Sequence, residues 1–242
     1  MQTKPRYLQA GESALVVEFG TIIDPKIHDR VLALDAAIEK AGFDGITETV
    51  PTYRSLMIHF EPRKWALEAL IDAVAELPCE PAPRLGRRRW NIPACYDPPH
   101  CEDLVEAAAV LKLAPERLVS LHIGAVYRVY MYGFAPGYVF LGGLAPELSL
   151  PRRSAPRRPA PEGSLLIAGG QALIASCAMP TGWYLIGRTP VKMLDPGRAP
   201  GFFINAGDEV RFARIDLASF EALRLKTQAG ELVAAAECLE ET

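Results

Sequence analysis

From Val126 onward a glycine or proline interrupts the chain every few residues, and the apolar runs between them are short: 126–132, 164–168, 183–186 and 209–213. An amphipathic helix needs roughly ten or more residues free of such breaks, whereas short strands sit comfortably between dense turns. This texture predicts an all-β sandwich or barrel for the C-terminal part. Asn205-Ala-Gly-Asp208 reads as a turn leading into a strand. The last 25 or so residues read instead as an amphipathic helix, with Phe220, Leu223, Leu232 and Ala236 on its buried face.

The first part of the chain has a different rhythm. Residues 14–19 are rich in β-formers. Asp24-Pro25 then opens a helix, proline being tolerated at the first helical position. Ile27, Val31, Leu34 and Ile38 draw one apolar stripe, and Gly42 is a natural stop. Two strands close enough to pair follow at 46–53 and 55–60, then a helix over 64–77 with Leu67, Leu70, Ile71 and Val74 on one face. The order β-α-β-β-α implies a small layer of two helices on one sheet face. Residues 79–86 are proline-rich and aperiodic, as in a linker. A strand near 87–93 and helices over 102–113 and 115–122 come next. The reading is therefore an α+β protein: an N-terminal α+β domain over 1–83, and a β-barrel domain with a helical tail over 84–242.

Composition narrows function by exclusion. A 242-residue chain with formal net charge −3 lacks the basic excess of a general nucleic-acid binder. No apolar run approaches the ~18 residues of a membrane span, and the six-residue run 14–19 is too short for a signal-peptide core. Five scattered cysteines suit reduced thiols and a cytoplasmic location. No phosphate loop of the Gly-x4-Gly-Lys-Ser/Thr type is present. Cys95, His100 and Cys101 match no zinc spacing, so no metal site is expected.

Several residues could carry chemistry. His122 ends an apolar helix, where a charged imidazole is favoured and a pKa near 6.5 suits proton transfer; a packed or capping histidine is the equal alternative. Tyr132-Gly-Phe-Ala-Pro-Gly-Tyr138 packs three aromatics and two glycines into seven residues, and could wall a pocket or form a tight turn. Residues 151–158 carry four arginines, whose forks match carboxylate and phosphate oxygens; a solvated loop is the plainer reading. Pro156 keeps that segment from being helical. The amide of Gln171 offers a donor and an acceptor to an amide or urea, and Trp183 could stack over such a ligand, although a buried tryptophan is more often core. Gly187-Arg-Thr-Pro190 reads as a strand end and turn.

These segments, in order, carry a resemblance. Tyr53-Arg-Ser-Leu-Met-Ile-His-Phe60, Ile92-Pro-Ala-Cys-Tyr96, Leu121-His122, Gly133-Phe-Ala-Pro-Gly137 and Leu141-Gly-Gly-Leu144 come first. Pro151-Arg152 with Pro156-Arg157, Gly163-Ser164, Ile167-Ala-Gly169, Gln171 and Gly182-Trp-Tyr-Leu-Ile-Gly-Arg-Thr-Pro190 follow. Over roughly residues 8 to 215 the chain resembles the family of allophanate hydrolase subunit 1 and the 5-oxoprolinase B-type subunit, which also contains an inhibitor of a sporulation sensor kinase.

The resemblance implies a cyclophilin-like barrel as the C-terminal domain. It also implies a site shared with a second protein, the C-type subunit. With a third protein, the A-type subunit, the pair would open 5-oxoproline at the expense of ATP. Related fused pairs form the carboxyltransferase part of urea carboxylases. Placed on this sequence, His122 would shuttle a proton, and the loop with Gly133, Phe134, Pro136 and Gly137 would shape the pocket. Arg152 and Arg157 would meet an anion, Gln171 would read a small amide substrate, and Trp183 would cover it. The chain itself is expected to bind no cofactor, with ATP used by the complex. An inhibitor of a sensor histidine kinase is the competing role, and a scaffold for the partner chain is a third. The chain departs from the family pattern at Ile174-Ala175-Ser176, where Ile-Tyr-Pro is usual, and at Thr181, where glycine is usual. Both changes point to an altered substrate.

Overall fold

The computed structural model describes residues 4–78, 87–155 and 157–239. The expected domain boundary at 83/84, the linker 79–86 with Cys79, and Pro156 lie outside the described residues. The described residues divide into two compact units, one up to residue 78 and one from 87 onward.

In the N-terminal unit β1 (Arg6–Gln9), β2 (Ala14–Glu18), α1 (Pro25–Ala41), β3 (Ile46–Pro51), β4 (Ser55–Phe60) and α2 (Leu67–Ala75) follow in chain order. The strands form an antiparallel sheet in the order β1-β2-β4-β3. Asp24 caps α1 by accepting from the Lys26 and Ile27 amides, and Gly42 closes it in the left-handed region at φ 62°. The expected stripe is inward: Val31, Leu34 and Ile38 pack with Leu15, Val17, Leu56, Ile58, Leu70 and Val74. Each such buried side chain contributes roughly 1.5–3 kcal/mol. Strand β1 has no sequence signal, because Arg6-Tyr7-Leu8-Gln9 lacks apolar alternation; it forms by hydrogen bonding to β2.

The second unit runs β5 (Arg88–Cys95), α3 (Leu104–Leu111), α4 (Pro115–Gly124), β6 (Tyr127–Tyr132), β7 (Val139–Gly142), β8 (Ser164–Ala168), β9 (Gln171–Ile174), β10 (Tyr184–Arg188), β11 (Glu209–Ile215), α5 (Leu217–Gln228) and β12 (Ala235–Cys238). Strands pair in the order β10-β8-β9-β7-β6-β11-β5, and β5 also bonds β10, which closes a seven-stranded barrel. The fold is thus α+β with a cyclophilin-like barrel. Among the described residues no helix is long and apolar enough to cross a membrane.

Strand alternation sends Ile167, Ile174 and Ile186 into the barrel with Val129 and Leu141. Their neighbours Leu166, Leu173 and Leu185 face outward yet are equally buried, in a second cluster with Tyr138 and Trp183. Strands buried on both faces explain why 164–168 and 183–186 read as continuous apolar runs rather than alternating ones. The outer cluster is roofed by Ala135, Ala160 and Met179.

The C-terminal tail corrects the sequence reading. The helix ends at Gln228, and Gly230 sits at φ 90°, where the chain turns away. Phe220 is buried as expected, but Leu232 and Ala236 are exposed, and Ala236 lies on β12 paired with Trp90.

Candidate functional site

A cleft of about 270 Å³ opens on the outer face of the barrel, lined by Phe134, Phe140, Arg152, Leu173, Thr181 and Trp183, with Tyr138, Pro180 and Gly182 completing the wall. Three backbone segments meet there, and each has a local reason for its path.

The 133–138 loop is a knot of short turns: Ala135 donates its amide to Gly133 O at 2.8 Å, and Tyr138 donates to Ala135 O at 3.1 Å. Gly137 has φ 78°, and a Cβ there would lie 2.7 Å from Leu194 Cβ and 2.9 Å from Ser176 Cβ, so only glycine fits. Ser176 Oγ donates to the Pro136 carbonyl and pins the loop from the β9 side. Phe134 is held at φ 69°, an unfavourable region for a bulky residue, with its ring edge-on to Tyr138 at 5.6 Å and 71% of its surface exposed. Tyr138 donates its hydroxyl to Cys177 O at 2.9 Å, and burial pushes its pKa up to about 12.

The second segment, 151–158, holds the four arginines, and the structure separates their roles. Arg153 and Arg157 turn inward. Their amides donate to Gly182 O at 2.8 Å and Thr181 O at 3.2 Å. Their guanidinium groups meet Asp103, with Arg157 Nε 2.8 Å from Oδ2 and Arg153 Nη1 3.3 Å from Oδ1. Glu102 and Glu106 at the head of α3 complete the network. Asp103 also accepts the Leu185 amide at 2.8 Å, so one buried carboxylate ties the loop to β10. The Arg157 side chain is only 4% exposed and is ion-paired to its own acids, Glu102 and Asp103. It is therefore not available to a ligand, which corrects the expectation for that residue. Arg152 and Arg158 are exposed, and of the four only Arg152 lines the cleft, its guanidinium 5.9 Å from the Trp183 ring centroid.

Trp183 opens the third segment, just before β10. It is buried against Phe140, edge-on at 6.1 Å, and its amide donates to Thr181 Oγ1 at 3.1 Å. Thr181 is not among the non-glycine residues with positive φ, so a threonine here costs no backbone strain. Its side chain narrows the cleft and caps the turn into Trp183.

The expected residues do not all converge. His122 is a second correction. It is sealed in the core, its Nδ1 2.8 Å from Tyr96 Oη and its ring stacked on Phe212 at 4.7 Å. Burial pushes its pKa down to about 3. Desolvation overrides the helix-end attraction for charge, because that attraction is worth at most ~2 kcal/mol. His122 lines no part of the cleft and stays neutral at physiological pH. Gln171 follows the Gly169-Gly170 turn and starts β9, half-buried. Alternation puts it on the face of Leu173, about 7 Å further along, outside the residues that line the cleft. Of the loop residues, Phe134 lines the wall, whereas Gly133, Pro136 and Gly137 set its shape. Sequence reasoning misses Asp103, Phe140 and Leu173 as parts of the site. Thr181, just before the quoted Gly182-Trp183 segment, is marked in the sequence as a departure from the family pattern, and it does line the cleft. Nothing local marks Asp103 as a hub 54 residues from Arg157.

Chemically the lining is an aromatic wall with one outward guanidinium. It holds no carboxylate, imidazole or thiol, and burial keeps its one phenol, Tyr138, protonated at neutral pH. Such a lining offers flat apolar faces and one cation, and none of its side chains is a proton acceptor at neutral pH. Among the described residues no group of three His, Cys, Asp or Glu could hold a metal ion.

Comparison with known proteins gives consistent results. Residues 5–204 match the family described as carboxyltransferase domain, subdomain C and D. The chain is 36% identical over 233 residues to the B subunit of 5-oxoprolinase from Bacillus subtilis, covering 89% of this chain and 95% of that one. Among solved structures, TTHA0988 is 35% identical with a TM-score of 0.75, over 84% of this chain but only 40% of that longer one. The Kluyveromyces lactis urea carboxylase shares the fold at 20% identity and a TM-score of 0.79, this chain matching 24% of it.

Proposed function

This chain belongs to the carboxyltransferase subdomain C and D family, within the group of 5-oxoprolinase B subunits, and from that premise we propose that it is the B-type component of an ATP-dependent complex that opens 5-oxoproline or a related small amide or urea. The cleft at Arg152 and Trp183 is the substrate-facing half of the active site, and a C-type partner completes it. An A-type protein supplies the ATP-dependent step. The observation that carries this reading is the chemistry of the lining: it can hold a planar amide and an anion, yet it has no group able to move a proton at neutral pH. A second chain must bring that group.

In this arrangement Trp183 stacks on the flat ring or amide plane with Phe140 edge-on beside it, and Arg152 meets its carboxylate. The clamp of Asp103 on Arg153 and Arg157 holds the loop that presents Arg152. Phe134, exposed at the rim, would be buried by the partner. Exposed free thiols at Cys177 and Cys238 suit the reducing cytoplasm.

Co-expression with the C-type and A-type proteins, purification, and an assay of 5-oxoproline-dependent ATP hydrolysis tests this. The expected result is turnover by the complex and none by this chain alone. Arg152→Ala should raise KM at least tenfold, because a charge-assisted hydrogen bond is worth ~1.5–3 kcal/mol. Turnover by the isolated chain, or an unchanged KM in Arg152→Ala, would overturn the assignment of the cleft.

A further inference from the structure

The Gly187-Arg-Thr-Pro190 turn, at the far end of β10 from Trp183, opens onto a second cavity. Five residues of strand separate Trp183 from Arg188, or about 16 Å. The cavity measures about 180 Å³ and lies between this turn and α5, lined by Glu162, Arg188, Thr189, Lys192, Arg224 and Thr227, with Phe220 as its apolar floor. Three cations, Arg188, Lys192 and Arg224, face Glu162 and, through its pair with Arg224, Glu221, so the wall is net positive by one in a chain that is acidic overall.

Two groups here are underused by the protein itself. Arg188 donates Nε to Glu162 O at 2.7 Å and lies 5.8 Å over the Phe220 ring, but no carboxylate of the described residues pairs with it. A half-buried guanidinium loses hydration, and burial correspondingly lowers its pKa. Its two terminal amino groups find no protein acceptor among the described residues. Thr227 is 6% exposed, and its Oγ1 has no hydrogen-bond partner although it lines the same cavity. A buried hydroxyl left unpaired costs ~1–3 kcal/mol unless something fills the place.

The other features of the wall are compatible with an anion. Arg224 pairs with Glu221 at 2.7 Å on the exposed side of α5, and Lys192 forms no ion pair among the described residues. The cavity faces the C-terminal turn of α5, whose carbonyls would repel negative charge. Those carbonyls are already occupied: Leu225 O, Lys226 O and Thr227 O accept the amides of Ala229, Glu231 and Gly230.

We propose that this cavity is a binding site for a small oxyanion, a phosphate or a short carboxylate, gripped by Arg188 with Lys192 and the Thr227 hydroxyl. It is separate from the cleft at Trp183 and does not depend on the reading given to that cleft. The full chain titrated calorimetrically with inorganic phosphate and, separately, with malonate at constant ionic strength decides it. Saturable one-to-one binding of either anion supports the site, and the tighter of the two identifies the class. Arg188→Gln should weaken that binding about tenfold or more, and Thr227→Val several-fold, whereas Arg211→Gln on an exposed stretch of β11 should leave it unchanged. Should Arg188→Gln fail to fold, Lys192→Gln with Thr227→Val carries the same test. No binding of either anion at 10-millimolar order, or equal weakening by Arg211→Gln, overturns the proposal.

Discussion

Replacing His122 with phenylalanine should flatten the acid side of the barrel's stability curve. The imidazole is wholly buried and its pKa is pushed from 6.5 down to about 3, so the folded barrel holds it neutral while the unfolded chain protonates it near 6.5. A depressed folded pKa means stability that is complete above 6.5 and is lost as pH falls toward 3. At ~1.4 kcal/mol per pH unit, the loss between pH 7.5 and pH 5 is about 2 kcal/mol, most of it below pH 6.5. With a urea m-value of ~2 kcal/mol/M this moves the denaturation midpoint by about 1 M. In His122→Phe that pH-dependent part vanishes. The variant also leaves Tyr96 Oη without its partner, a pH-independent cost of ~1–3 kcal/mol. His28, His59 and His100 are common to both proteins and cancel in the difference. The assay is urea unfolding by tryptophan fluorescence in a Trp65→Phe background, so that only Trp90 and Trp183 of the barrel report. Parallel wild-type and variant curves from pH 7.5 to pH 5 would show that His122 takes up its proton in the folded state, and the argument for a sealed, neutral imidazole would be wrong.

Other residues make sharp tests. Asp103→Ala leaves Arg157 with Glu102 alone and the Leu185 amide unpaired, so the barrel should lose ~1–3 kcal/mol by chemical denaturation; a loss below 1 kcal/mol would deny it the hub role. Phe134→Gly removes a non-glycine residue from φ 69°, which should stabilise the isolated chain by about 1 kcal/mol while weakening its binding to a C-type partner in calorimetry. An equally tight complex would show that the exposed ring is not part of the interface. Gly137→Ala, with its Cβ forced to 2.7 Å from Leu194, should lower the thermal midpoint of the barrel by several degrees.

How far the fold is legible from sequence follows from how local its causes are. Helix α1 is readable to its ends because Asp24, Pro25, the Val31-Leu34-Ile38 stripe and Gly42 all act within the helix itself. The barrel is readable as a class because turn residues punctuate every strand. Its closure is not, since β5 meets β10 and β11 across more than ninety residues of chain. The tail misleads for a related reason: periodicity continues through Leu232 and Ala236, but Gly230 ends the helix and β5 recruits the remainder as β12.

The same distinction governs the site. A residue type advertises what it can do, and burial decides whether it does so. His122 and Arg157 have the chemistry of a shuttle and an anion hook, but the fold uses both internally: one is desolvated in the core, the other neutralised by Asp103 and Glu102. Arg152 has no such internal partner among the described residues, and for that reason it is the arginine left to face a ligand. Arg188 stands in the same relation to its own cavity, tied to a backbone carbonyl rather than to an acid. In a chain whose acids outnumber its Lys and Arg, a half-buried guanidinium with no ion pair among the described residues keeps donors to spare for a ligand. An arginine that internal ion pairing has left free therefore lies at or beside each end of β10, Arg152 at an aromatic cleft and Arg188 near an unpaired threonine hydroxyl.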